Sequence, residues 1–172
     1  MRSASCLMMF ALGCAWATHP LANSSHAEYH LVAVKGLAQI EVVLDVEGAQ
    51  LGFDRTTIKT DAEIRLRLAG IEVVREGKET PVTGVLYIRV LAERVGSRVV
   101  TFIMVEFQQN ARLFRDPSVV VPLARMWHSD GNIGVSQVGD TASVRQWIKD
   151  GVDEFINLYL AANPPKPAQK DE

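Results

Sequence analysis

The stretch TDAEIRLRLAGIEV, residues 60–73, changes its hydrophobic period at Gly70. Before the glycine, Ile58, Ala62, Leu66 and Ala69 recur at helical spacing, with Ile64 and Leu68 widening the apolar arc; Lys59, Thr60, Glu63 and Arg67 take the opposite side. After it, Ile71-Glu72-Val73 alternates as a strand does. Glycine adopts the left-handed conformation that ends a helix, so the stretch predicts a helix handing over to a strand in one turn. Two acid–base pairs lie along it at i,i+4, Glu63–Arg67 on the wet side and Asp61–Arg65 inside the apolar arc. Both are expected to be scaffolding, the second as a pair at the core's rim with the arginine stem covering its edge.

Upstream, residues 38–47 alternate: Ile40, Val42, Leu44 and Val46 point one way, Gln39, Glu41, Asp45 and Glu47 the other, with Val43 the exception. Gly48 and Gly52 close this strand, and Asp54 or Thr56 can cap the helix over 54–69. Downstream, a short strand over 71–74 leads into the charged loop REGKETPVTG, then to a strand over 85–92 and, through Gly96-Ser97, to a long strand over 98–113. The last two read as one hairpin, and the apolar run VVTFIMVEF marks a central strand. A further strand is placed over 123–128. Asp140 or Thr141 caps a terminal helix of about twenty residues, in which Val144, Trp147, Ile148, Gly151, Val152, Phe155, Ile156, Tyr159 and Leu160 form a wide stripe. The expected fold is α+β, a two-layer sandwich of a mixed sheet of about five strands with both helices packed on one face.

The N-terminus carries a different message. In MRSASCLMMFALGCAWA one cation, Arg2, precedes an apolar run with no acid before Glu28, which is the layout of a secretory signal. Small-x-small sites follow Ala17 and Ala27. The run is shorter than the roughly 20 apolar residues a membrane span requires. ALGC, residues 11–14, resembles a lipobox, so a lipid anchor at Cys14 is the second reading of this segment. The expected division is a signal over 1–27, one domain over 28–164 and a disordered tail over 165–172. The resulting address is periplasmic or secreted. Both cysteines, Cys6 and Cys14, fall inside the signal, which leaves the domain neither a disulfide nor a thiol.

With a formal charge of −2 and no cationic block, the chain lacks the footprint of nucleic-acid binding. No phosphate cradle and no nucleophile elbow is present, and GVSQVG misses the required spacing at Ser136. His26 and His30 stand four apart, but a zinc site needs three or four ligands, so no metal and no cofactor is expected. Glu41, Asp45 and Glu47 line one strand face, where carboxylates two apart could serve glycoside chemistry and more commonly form a solvent face. His128 with Asp130, in MWHSDG, is the one acid–base candidate, and no third orienting group accompanies it. Trp127 and Trp147 are expected in the core.

The order TDAEIRLRLAGIEV, LYIRVLA, VEFQQNARLFRD, MWHSDGNIG and VRQWIKDGVDEFINLYLAANP resembles a group of uncharacterised exported bacterial proteins over residues 40–164. Its most specific parts are RLRLAGI and VDEFINLYLAANP; the resemblance implies no activity and transfers no site residue. The element order is also similar to small α/β domains of envelope translocation and assembly proteins, a likeness of fold alone. These readings favour an exported, non-catalytic envelope module that binds a partner protein or a small ligand. The alternative is a small hydrolase using His128 and Asp130 with a strand carboxylate.

Overall fold

The structure, a computed structural model, describes residues 24–48, 52, 54–75 and 83–164, with side chains from residue 28 onward. Cleavage after Ala17, lipidation at Cys14, most of the 75–84 loop and the 165–172 tail lie outside the described residues. The elements are α1 Ser24–Val34, β1 Gln39–Gly48, α2 Arg55–Leu68, β2 Glu72–Val74, β3 Thr83–Val95, β4 Arg98–Leu113, β5 Asp116–His128, β6 Asn132–Gln137 and α3 Thr141–Ala162. The fold is α+β: a mixed six-stranded sheet with helices packed on it. β1 runs parallel to both β2 and β3, and the remaining pairs are antiparallel. The far edge of β4 is shared, its first half pairing β6 and its second half β5.

Residue alternation and register together build the core. Val42, Leu86, Phe107 and Trp127 are partners in one row across four strands, and all are buried on the helix side. Leu44, Ile88 and Val105 form the next row. Central helix α3 covers β4, with α1 and α2 against its flanks. Phe155 is fully buried, its ring 5.3 Å from Phe107 and 5.7 Å from Trp127. Burying a side chain of this size contributes about 1.5–3 kcal/mol, which makes the α3 stripe a main source of stability. Trp147 reaches past it to β6, where a Cβ at Gly134 would lie 1.8 Å from the indole Cζ-ring edge atom Cη2; only glycine leaves room for the ring.

Helix boundaries follow the expected chemistry. Asp54 caps α2 by accepting from the Thr56 N–H, and Gly70 stops it at φ 81°. Asp140 caps α3. Three expectations need correction. A third helix, α1, joins the other two; its anchors are tertiary, with His30 Nδ1 donating to Met126 O at 2.9 Å and Asn163 Nδ2 to Val34 O at 3.0 Å. β5 begins at Asp116 rather than 123, and β6 is an additional strand. Finally, the apolar arc of α2 is narrower than its sequence suggests: Ile58, Ala62 and Leu66 are buried, whereas Ile64 and Leu68 are exposed.

The Asp61–Arg65 pair is also corrected. Asp61 accepts from Arg145 of α3, with Nη2 at 2.5 Å and Nε at 3.2 Å, and Arg65 donates to Asp153 of α3. Glu63–Arg67 forms as expected at 3.0 Å.

Candidate functional site

Among the described residues the helices lie on one side of the sheet, and on the opposite side of β1, β3, β4 and β5 the alternate residues have no described helix above them. Register sets these residues in rows. Val43, Tyr87, Glu106 and His128 form one; Asp45, Arg89 and Met104 the next; Glu47, Leu91, Phe102 and Ile133 a third. The face thus has a polar middle and an apolar end.

In the polar middle, the Tyr87 hydroxyl donates to Asp45 Oδ2 at 2.6 Å, and the Arg89 guanidinium carbon stands 5.5 Å from the Tyr87 ring centroid. Asp45 accepting the phenolic hydrogen, together with burial, holds the Tyr87 hydroxyl above its ordinary titration range. Arg89 is held above its own ordinary value by its contact with the Tyr87 oxygen first, with the charges of Glu106 and Asp45 adding to the effect. Its Nε is buried and has no hydrogen-bond partner among the described residues. Glu106 is 6% exposed, its Oε2 accepting from Gln108 at 3.0 Å and its Oε1 facing Arg125 at 3.5 Å. A buried carboxylate is costly unless cations and donors answer it, and here Arg89, Arg125 and Gln108 converge on that task.

Toward the other end, Leu91, Val100 and Phe102 are half-buried, while Ile133 and Val135 of β6 are 76% and 57% exposed. A cavity of about 340 Å³ opens there between Glu47, Gly48, Leu91, Glu93, Val100 and Phe102. A second groove, of about 400 Å³, runs between Val43 and Leu44 of β1 and the first two turns of α2. β2 pairs with β1 only as far as Glu41, and Arg55 Nη2 donates to the Val46 carbonyl at 2.7 Å along that outer edge.

The structure separates the acid–base candidates. His128 is on the open face opposite Glu106, with Nδ1 donating to Ser129 O at 2.8 Å. Ser129 turns inward and its hydroxyl accepts from the Val105 N–H at 3.1 Å. Asp130 lies beyond this turn beside α3, where burial first, then Asp130 and Asp150, pushes the Glu154 carboxyl up. No hydrogen bond joins His128 to Asp130 among the described residues. Glu41, Asp45 and Glu47 share the open face as their spacing predicts, but Asp45 is committed to Tyr87 and Glu41 is buried. Among the described residues no group of three His, Cys, Asp or Glu side chains is disposed to hold a metal, and no helix is long and apolar enough to cross a membrane.

Sequence reasoning missed Tyr87, Arg89 and Glu106 as a unit. Each sits at an alternate position of β3 or β4, but only the register brings them beside Asp45. No protein-family model matches the chain, and no curated protein matches it. The open face itself carries the functional reading.

Proposed function

We propose that this chain is an exported, non-catalytic envelope module, periplasmic or secreted, that binds a partner protein through the open face of its sheet. The observation that carries this reading is the pairing of an apolar end, half-buried Leu91 and Phe102 with exposed Ile133 and Val135, with the Asp45–Tyr87–Arg89–Glu106 network beside it. Contiguous exposed apolar surface with a polar border is the composition of a protein-docking patch, and aromatic and arginine side chains are its usual anchors. Arg89 is half-buried on this face, and its guanidinium adds a cation that a partner's carbonyl or carboxylate would meet. Export rests on the signal layout of residues 1–27, and the resemblance to exported bacterial proteins supports the same address.

Site-specific photo-crosslinking in the native host tests the proposal. A crosslinker at Phe102 or Ile133 should give a discrete adduct that Arg89→Glu abolishes, and one at Asn157 on the exposed side of α3 should give none. Equal adducts from both sides of the molecule, or none from the open face, would remove the reading.

A further inference from the structure

Beyond Gln108, β4 loses its partner β3 and continues with β5 alone, forming a two-stranded arm over residues 109–123 that ends in the Phe114-Arg115 turn. The arm departs through irregular backbone: the β4–β5 register shifts between Gln109 and Ala111, and Leu123 has φ 48°, a left-handed value unusual for leucine, with its N–H held by Asn110 Oδ1 at 3.2 Å. Phe114 is 103% exposed, and Val119, Val120, Val121 and Leu123 behind it are exposed as well. Successive strand residues point to opposite faces, so both faces of the arm present apolar side chains to solvent. Around the tip stand the exposed cations Arg112 and Arg115. The one acid there, Asp116, is engaged by Ser118, accepting from its N–H at 3.1 Å and its hydroxyl at 2.6 Å.

We propose that this arm inserts its tip into the interface of an anionic phospholipid surface, Phe114 entering the acyl boundary while Arg112 and Arg115 meet the headgroup phosphates. Charge complementarity selects the anionic surface. An aromatic ring between cations has the amphipathic make-up of interfacial membrane anchors. A flat protein partner would cover one side of the arm and leave the valines on the other wet, whereas lipid solvates every side. Pairing with a second copy along the β5 edge is opposed by Pro117 and Pro122, which lack the N–H a strand ladder needs, and by the repulsion of two sets of tip arginines.

Co-sedimentation of the full protein with vesicles tests this, comparing mixed phosphatidylglycerol and phosphatidylcholine with phosphatidylcholine alone. The protein should bind the anionic vesicles and release with rising salt. Phe114→Ser should lower the partition coefficient by about tenfold, and R112E/R115E should erase the preference for anionic lipid, both with unchanged melting temperatures. Vesicles of brominated lipid should quench a tryptophan placed at Phe114 and spare one placed at Val138, in the turn before α3. Unquenched emission at 114 would show that some other part of the chain carries the binding. Undiminished partition of Phe114→Ser would overturn the proposal equally, as would a lipid-free dimer that Phe114→Ser dissociates, which would assign the arm to a second copy.

Discussion

Arg65 of α2 donates to both carboxylate oxygens of Asp153 on α3, at 2.5 and 2.6 Å, although Asp61 stands one turn away on its own helix. Asp61 instead holds Arg145. The two pairs stitch α2 to α3 along a seam whose remaining cavity is only about 10 Å³. Each is partly exposed, so each contributes on the order of 0.2–1 kcal/mol.

A double-mutant cycle separates these partners. Asp61→Asn with Arg145→Gln should show a coupling of about 0.5 kcal/mol or more, and Asp61→Asn with Arg65→Gln should be additive within about 0.3 kcal/mol. Urea denaturation of the single and double variants reads both values. The reverse pattern would place the pairing within α2.

Phe155→Ala should cost about 3–5 kcal/mol, because the ring is fully buried between Phe107 and Trp127. Gly134→Ala should cost about 1–3 kcal/mol by forcing Trp147 off its seat, with a change in tryptophan emission. A neutral Gly134→Ala would mean that Trp147 does not pack on β6.

Asn163 joins the ends of two helices, accepting from the Gly36 N–H at 2.8 Å and donating to Val34 O at 3.0 Å. Asn163→Ala should therefore cost about 1–3 kcal/mol and loosen α1 first. Hydrogen exchange should show lost protection confined to residues 30–36. Uniform loss over the sheet would show that α1 is not separately held.

Tyr87 supplies a pH dependence. Its folded pKa lies above the ordinary 10.0, so the protonated phenol is favoured in the native state. The corresponding stability is fully present below pH 10 and is lost as pH rises through the folded value. In an ultraviolet titration, the step that disappears in Tyr87→Phe should move down in Asp45→Asn, and the alkaline loss of stability should shrink with it. A step unmoved by Asp45→Asn would disconnect the two groups.

Export makes the last prediction. Under the proposed export, protein recovered from its native host should begin at Thr18 or Glu28 and carry no fatty acid, which N-terminal sequencing and mass measurement would check. Lipidated Cys14 would replace secretion with anchoring, and an intact Met1 would end the export reading.

Local signals in the chain determined the bounds of β4, the stop at Gly70 and the α3 stripe, and narrowed each helix cap to two residues, Asp54 or Thr56 and Asp140 or Thr141, because each rests on residues within a few positions of one another; the structure then chose Asp54 and Asp140. β5 and β6 escaped such reading. Val119, Val120 and Val121 are all exposed and show no alternation to betray a strand, and Gly134 lies in β6 as a seat for Trp147. α1 was illegible for a related reason: its bonds go to Met126, Gln109 and Asn163, all more than seventy positions away. Tertiary structure alone decided which carboxylate each arginine took. The i,i+4 spacing of Asp61 and Arg65 makes them neighbours, but a long guanidinium can reach several acceptors, and packing α3 against α2 offered each a closer partner. The open-face network follows the same rule: alternation places Asp45, Tyr87, Arg89 and Glu106 on sheet faces, and only the pairing of β1 with β3 and of β3 with β4 brings them into contact.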